Sequence, residues 1–197
     1  SAWALYQKQH KKMQQGSWRF KGVAGMNMAG QAEQARVSWN KQPNQYQIKL
    51  SGLLGLGSVE LRYKGGVYEL IDEKGHVYTN SDPEALLEQV TGWALPLSGA
   101  DYWVLGLVKP EKDVGSNMSS SVVEKSTFDP NSIKKDHVKA KYSLNQYGSL
   151  DKLQQNGWRM DYRQYKVFNG VLLPVQIIFY NADKKLRIKL VIQNWGF

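Results

Sequence analysis

The stretch "SWRFKGVAGMNM" (residues 17–28) alternates apolar or small side chains with mainly polar ones. Successive side chains of a β-strand point to opposite faces of its sheet. The stretch therefore predicts a strand with one apolar face and one largely polar face. The side chains of the apolar or small face are Trp18, Phe20, Gly22, Ala24, Met26 and Met28.

The same alternation recurs along the chain, with turn-forming residues between the runs. Ala29-Gly30, Pro43-Asn44 and Gly65-Gly66 separate the runs of the first half, and residues 181–183 supply the last turn. This spacing predicts about ten or eleven antiparallel strands in sequence-adjacent hairpins. A single sheet of this size tends to curl, so one concave, apolar face is expected. The further runs lie at residues 35–40, 46–50, 58–63, 67–80, 158–163, 175–180 and 186–193.

The N-terminal segment and the middle of the chain predict helices. Residues 1–15 lack Gly and Pro and repeat their apolar positions with helical spacing. In the middle, Ser81 or Asp82 is expected to cap one helix, which Gly92 ends. A second short helix is expected from residue 98 onward, because Ser98 and Asp101 resemble a capping box. We expect the two mid-chain helices to cover the concave face.

The length of 197 residues fits one domain with a sizeable core. The whole chain, residues 1–197, is accordingly interpreted as a single domain. Within it, residues 109–140 are expected to form an extended surface excursion, because this part begins with a run rich in Lys, Ser, Asn and Asp. No apolar run approaches the roughly 20 residues of a membrane span.

The composition excludes some classes of function. The chain has no cysteine, which excludes disulfides, thiolate metal sites and cysteine nucleophiles. The formal charge of +9 is compatible with nucleic acid, acidic lipid headgroups or an acidic partner. Residues 18–21 and 158–166 interleave aromatic and basic residues, but strand geometry places these two kinds on opposite faces. We therefore do not expect nucleic-acid binding.

No motif for catalysis, metal binding or cofactor binding is evident. The histidines, His10, His76 and His137, are widely separated and are expected to be surface or capping residues. Gly52 and Gly57 have the spacing of a phosphate-binding loop, but a serine follows where lysine is required. The carboxylates Glu60, Glu69 and Asp161 fall on or near polar strand faces. The sequence therefore predicts no enzyme activity, no metal and no cofactor.

The turn "SGLLGLG" (residues 51–57) is unusually apolar for the tip of a hairpin. Leu53, Leu54 and Leu56 lie there without any charge between them. Folding back as a plug under the sheet is disfavoured, because so short and glycine-rich a tip has little reach. Each leucine would contribute about 1.5–3 kcal/mol if it were buried in lipid or in a partner. The turn is therefore predicted to project and to make transient membrane contact.

Three segments resemble the LolB family of outer-membrane lipoprotein receptors in Gram-negative bacteria. These are "SGLLGLGSVEL" (residues 51–61), "TGWALPLSGADYWVLGL" (91–107) and "RIKLVIQNW" (187–195). The first resembles the protruding hydrophobic loop of the family, the second its helix segment and the third its C-terminal strand. The resemblance covers nearly the whole chain in the same order.

The resemblance implies a fold and a function. The implied fold is mainly β with α: a single curved antiparallel sheet that forms an incomplete β-barrel and encloses an apolar cavity under a helical lid. The implied function is to accept acylated lipoproteins from a LolA-type periplasmic carrier and to insert them into the inner leaflet of the outer membrane. Within the loop, the resemblance assigns the deposition step to Leu56, with Leu53 and Leu54 as neighbours. The protein is expected to act as a monomer.

The resemblance also implies a location at the periplasmic face of the outer membrane. Family members are anchored there by an acylated N-terminal cysteine, which is missing from the sequence given. A trimmed, soluble form of a lipid-anchored protein would explain this difference.

Side chains of the concave face and of the covering helices are the candidate lining of an acyl-chain cavity. The strand positions are Trp18, Phe20, Met26, Met28, Val37, Trp39, Ile48, Leu50, Leu61, Ile177 and Leu190. The helix positions are Leu86, Val90, Trp103 and Leu105. A cavity wall and a solid core share one composition, so the sequence leaves open which of these residues are plain core.

Two related functions remain as alternatives. One is a periplasmic carrier of lipoproteins or lipids, and the other is a general half-barrel binder of hydrophobic ligands. A carrier lacks the projecting hydrophobic loop, so the Gly-Leu turn argues against it. A preference for free fatty acid over acylated protein would favour the general binder.

Overall fold

The computed structural model describes residues 1–53, 57–111 and 139–197. Eleven strands in these segments form one antiparallel sheet in the order β6-β5-β4-β3-β2-β1-β11-β10-β9-β8-β7. Both β6 and β7 are edge strands, so the sheet is not closed into a barrel. The strands are β1 Trp18–Met28, β2 Gln31–Gln42, β3 Gln45–Leu53, β4 Gly57–Lys64, β5 Val67–Ile71, β6 Val77–Asn80, β7 Lys141–Leu144, β8 Leu150–Gln155, β9 Trp158–Phe168, β10 Val171–Asn181 and β11 Leu186–Gly196. The predicted mainly β fold with a single curved sheet is confirmed.

The alternation in the sequence becomes one continuous apolar face because the strands pair in register. Phe20 of β1 lies opposite Trp39 of β2, which in turn lies opposite Ile48 of β3. The row continues through Leu61 of β4 and Leu70 of β5. All five side chains are buried. The core of the protein therefore lies on the concave side of the sheet.

Helix α1 (Ala2–Gln15) lies across one end of the sheet. The ring of Trp3 contacts Tyr142 of β7, and the Gln14 carbonyl oxygen accepts a hydrogen bond from Lys41 Nζ at 2.8 Å. Between these contacts, the hydroxyl of Tyr6 donates to the carbonyl oxygen of Leu105 at 2.7 Å. The helix thus joins the far edge of the sheet to β2 and also holds the mid-chain segment.

His10 is fully buried beneath α1, so the prediction of a surface or capping residue is wrong. Its Nδ1 lies 2.8 Å from the carbonyl oxygen of Tyr6, and its Nε2 lies 2.7 Å from that of Leu172 on β10. The imidazole also stacks on the Tyr6 ring, with the ring centroids 3.6 Å apart. The polar ring is accommodated in the interior because its ring N–H donates to a backbone carbonyl oxygen.

The mid-chain helices are α2 (Pro83–Thr91) and α3 (Leu97–Trp103). Asp82 caps α2, and Gly92 ends it in the left-handed conformation with a φ of 79°. The predicted capping box of α3 is wrong, because the helix begins one residue earlier and has no side-chain cap. Ser98 Oγ instead donates to Glu84 Oε1 of α2 at 2.9 Å, which ties the two helices together.

Some predicted features lie outside the described residues. Leu54 and Leu56 of the apolar turn are among them, as are residues 112–138, which make up most of the predicted surface excursion. In the described part of the chain, no helix is both long and apolar enough to cross a bilayer.

Gly22 marks the tightest approach in the central strand pair. The register between β1 and β11 shifts between Lys21 and Gly22. At this shift, a Cβ on Gly22 would lie 2.4 Å from the carbonyl oxygen of Val191. A Cβ on Gly25 of the same strand would meet nothing within 4 Å.

We expect Gly22→Ala to lower the free energy of unfolding by about 1–3 kcal/mol, because the backbone of β11 must move to admit the methyl group. Gly25→Ala is the matched control and should leave stability unchanged or slightly raised, since alanine is less flexible than glycine in the unfolded chain. Urea denaturation of both variants measures the difference. Equal stability of the two variants would contradict the close β1–β11 contact.

His10 should make stability depend on pH. Burial lowers the pKa of His10 below its ordinary value, and hydrogen bonds to the Leu172 and Tyr6 carbonyls oppose this. The unfolded chain therefore binds a proton more readily, and stability falls as the pH drops below the unfolded pKa near 6.5. The slope contributed by one such group is at most about 1.4 kcal/mol per pH unit.

Urea denaturation between pH 7.5 and 5 should therefore show a shallower fall in stability for His10→Gln than for the wild type. His76→Gln is the control, because the His76 side chain is 66% exposed. A wild-type pH slope in the His10 variant would show that His10 is not the titrating group.

Candidate functional site

The mid-chain segment covers the apolar face of β3 and β4. A small cavity of about 20 Å³ remains between the two layers. Such a volume has room for roughly one water molecule, far less than an acyl chain needs. At this position the concave face is filled by the protein's own side chains. The residues lining the cavity are Ile48, Leu50, Val59, Leu61, Leu87, Leu95 and Leu97.

The structure brings three of the predicted lining residues together around this cavity: Ile48, Leu50 and Leu61. The others lie in the surrounding core. Nine of them are buried, namely Trp18, Phe20, Met26, Trp39, Leu86, Trp103, Leu105, Ile177 and Leu190. Met28, Val37 and Val90 are partly buried and pack against the core.

Four lining residues were missed by the sequence reasoning. Val59 alternates with Leu61 in the same run, so its place on the apolar face could have been predicted. Leu87 belongs to the apolar stripe of α2, but its neighbour Leu86 is equally apolar, and only the rotation of the helix decides between them. Leu95 and Leu97 flank Pro96 in a segment without a periodic pattern.

An aromatic cluster lies beside the cavity on the same concave face. Trp18 packs against Trp39 with ring centroids 5.1 Å apart, and Phe20 packs against Trp195 at the same separation. Tyr46 of β3 extends the cluster, with its ring 5.4 Å from that of Trp39. The cluster is continuous with the cavity because Trp39 and Ile48 are cross-strand neighbours.

Polar groups collect at the end of the concave face beneath α1. Lys41 is buried there, and burial lowers the pKa of its ammonium group, an effect that nearby Asp101 opposes. Burial also raises the pKa of Asp101, with Lys109 and Lys41 acting in the opposite direction. Gln14 Nε2 donates to Asp101 Oδ2 at 3.3 Å. One end of the face is thus polar, whereas the part that contains the cavity is apolar.

The covering segment is held firmly on the side of β8 and β9. Gln155 Oε1 accepts hydrogen bonds from Trp103 Nε1 at 2.8 Å and from the Lys109 backbone N–H at 3.0 Å. Its Nε2 donates to the Lys109 carbonyl oxygen at 2.6 Å. The hydroxyl of Tyr162 donates to the Trp103 carbonyl oxygen at 2.7 Å. Each of these bonds is largely shielded from water, where a broken bond is costly.

On the opposite side, the cover is held by contacts nearer the surface. Trp93 Nε1 donates to the Glu33 carboxylate of β2. Lys184, in the turn between β10 and β11, pairs with Glu88 of α2 at 2.8 Å. Exposed ion pairs of this kind contribute little stability. The polar contacts of the cover are therefore shielded from water near α3 and closer to the surface near α2.

The carboxylates considered for acid–base chemistry do not meet at this site. Asp161 is buried on the opposite, convex side, where its carboxylate lies 3.5–3.7 Å from Lys152, Arg159 and Arg163. In residues 1–53, 57–111 and 139–197, no three His, Asp or Glu side chains are grouped so that they could hold a metal ion.

Comparison with known proteins decides the family. The profile of the family described as "Outer membrane lipoprotein LolB" matches residues 16–195. The chain belongs to the LolB family. An outer-membrane lipoprotein LolB of Pseudomonas paraeruginosa is 30% identical over 179 residues, which are 91% of this chain and 74% of that protein. The LolB of Francisella tularensis subsp. tularensis is 27% identical over 187 residues, covering 94% and 77% of the two chains.

Solved structures support the fold of this LolB family member. A LolA superfamily protein from Nitrosomonas europaea superimposes with a TM-score of 0.53 and 9% identity, covering 93% of this chain and 86% of the other. A DUF1329 family protein from Desulfovibrio piger gives a TM-score of 0.58 at 8% identity, covering 100% and 91%. At such low identity, these similarities concern the fold alone.

We expect Gln155→Leu to lower the free energy of unfolding by about 2–4 kcal/mol, because it leaves the buried Trp103 N–H and the partly buried Lys109 carbonyl oxygen without partners. Gln154→Leu is the matched control, since its side chain points to the opposite face of β8 and should change stability by less than about 0.5 kcal/mol. Urea denaturation measures both variants. Similar losses in the two would contradict the anchoring role of Gln155.

Proposed function

We propose that this LolB family member accepts acylated lipoproteins from a LolA-type periplasmic carrier and inserts them into the outer membrane. The observation that carries the proposal is the continuous apolar concave face, which the mid-chain helices cover. Family membership supports the same conclusion, since the curated relatives are named as outer-membrane lipoproteins. We propose further that residues 1–197 act as one domain and as a monomer at the periplasmic face of that membrane.

Acyl chains would enter where the cover is weakly held. Separation of α2 from the sheet would break the ion pair of Glu88 and the hydrogen bond of Trp93, while the contacts of Gln155 would hold α3 in place. Leu87 would then move away from the sheet, and the small cavity would widen along its apolar walls. The site accepts chains of variable shape, because adaptable Met side chains also lie on this face.

We propose that transfer proceeds downhill in affinity, without nucleotide hydrolysis. Burial of one acyl CH₂ group contributes about 0.8 kcal/mol, so complete enclosure of several long chains would make release very slow. The receptor must therefore enclose its cargo only in part, binding it more tightly than the carrier does and less tightly than a bilayer does. Each difference of about 1.4 kcal/mol biases the transfer tenfold.

The Gly-Leu turn is proposed as the element that contacts the bilayer. Strand β3 ends at Leu53 and β4 begins at Gly57, and these two residues pair across the hairpin. The turn that connects them carries Leu54 and Leu56, with Leu53 at its start. Insertion of three leucines into lipid is strong enough for a transient contact and too weak for a permanent anchor. The net charge of +9 adds attraction to anionic headgroups.

The direct test is to mix the protein with a carrier-bound lipoprotein, in the absence of nucleotide, and to follow the cargo by co-purification. We expect the lipoprotein to move to this protein, and then to liposomes when these are added. Cargo that stays on the carrier would contradict the proposed receptor function. Binding of free fatty acid in preference to acylated protein would favour the general hydrophobic binder instead.

Leu56→Glu separates acceptance from insertion. We expect this variant to take up cargo normally but to deliver about 10–100-fold less to liposomes, because the loss of one buried leucine costs about 1.5–3 kcal/mol. Leu5→Glu is the matched control, since Leu5 is a leucine of α1 with 71% exposure. Normal delivery by the Leu56 variant would show that the turn does not contact the bilayer.

A further inference from the structure

Two indole N–H groups of the concave face have no hydrogen-bond acceptor among the described residues: Nε1 of Trp18 and Nε1 of Trp39. The two residues are only 2% and 4% exposed. Buried donors of this kind are rare, because leaving one unpaired costs free energy. Two of them with neighbouring rings therefore call for an explanation.

Other buried tryptophans of this protein do have acceptors. Trp103 Nε1 donates to Gln155, and Trp195 Nε1 donates to the Pro174 carbonyl oxygen at 2.8 Å. Trp195 belongs to the same aromatic cluster as Trp18, with their ring centroids 5.7 Å apart. The lack of an acceptor is thus specific to Trp18 and Trp39.

The position of the pair suggests what the missing acceptor is. Trp39 lies opposite Ile48, which lines the apolar cavity. Trp18 lies opposite Lys41, at the polar end of the concave face. The two residues therefore lie at the boundary between the apolar and polar parts of the face. An amphiphile whose chains extend into the cavity would place its first polar atoms at this boundary.

We propose that the indole N–H groups of Trp18 and Trp39 bind carbonyl oxygens of ester- or amide-linked acyl chains. The inference rests on the proposed lipid-binding function of the concave face. It adds that the site recognises the carbonyl group that joins each chain to its headgroup, as well as the chain itself.

The chemistry of the donors favours this class of ligand. An indole N–H only donates, so its partner must be an acceptor. A carbonyl oxygen is neutral and needs no counter-ion in an apolar setting, whereas a buried anion would need a paired cation. The cation that could pair with such an anion is Lys41, which already donates to the carbonyl oxygens of Gln14 and Gln42, at 2.8 Å and 3.3 Å.

The test compares two probes that differ only in the carbonyl groups: a 1,2-diacylglycerol and the 1,2-dialkyl ether of the same chain length. Competition against a fluorescent acyl probe measures the affinity of each. We expect the wild type to bind the ester about fivefold to thirtyfold more tightly, as befits one or two hydrogen bonds. Trp18→Phe, Trp39→Phe and the double variant remove the N–H groups and should reduce the ratio towards one.

Trp195→Phe is the control, because it replaces an indole of the same cluster whose own N–H already donates to the Pro174 carbonyl oxygen. It should weaken both probes alike and keep the wild-type ratio. Because each ratio is taken within one variant, a general loss of stability cancels.

Each other outcome overturns the inference. Equal binding of ester and ether by the wild type would show that the N–H groups do not recognise carbonyls, while the lipid-binding function would stand. An ester preference that survives in the double variant would assign the recognition to other residues. Failure of the wild type to bind either probe would reject lipid binding by this face, and the inference with it.

Discussion

The pairing of β1 with β11 is the contact on which the rest of the structure depends. Strands β1 to β6 form one run of adjacent hairpins and β7 to β11 form another, and among the described strands only this pairing joins the two runs into a single sheet. The register of this pair shifts once, between Lys21 and Gly22, and on both sides of the shift the apolar side chains of the two runs lie on one concave face. Because an apolar face of this size must be shielded from water, the mid-chain helices and α1 pack against it.

The cover buries the concave face, and the contacts that hold it differ between its two ends. Near α3 it is held by shielded hydrogen bonds from Gln155 and Tyr162, and near α2 it rests on apolar contacts and a surface ion pair. Apolar contacts are non-directional, so they can be exchanged for contacts with an acyl chain. Under the proposed function, lipid would replace part of the cover by such an exchange.

The interior beneath the cover is apolar at one end and polar at the other. The cavity lies among leucines, whereas Lys41 and Asp101 lie at the end beneath α1. Trp18 and Trp39, whose indole N–H groups have no acceptor among the described residues, lie between these regions. A ligand with an apolar tail and a neutral polar junction matches this gradient, and the proposed function and the further inference describe two aspects of one site.

The sequence by itself determined the strands, the helices and the apolar face, because each depends on local periodicity and on turn residues. The Asp82 cap, the Gly92 end of α2 and the alternation from Trp18 to Met28 are features of this kind. Only the tertiary structure decided which of Leu86 and Leu87 reaches the cavity, that His10 is buried, and that Ser98 binds Glu84 instead of capping its own helix. It also decided that Gln155 anchors the cover. These outcomes depend on contacts between residues far apart in the chain, and no local pattern specifies the distance between two such groups.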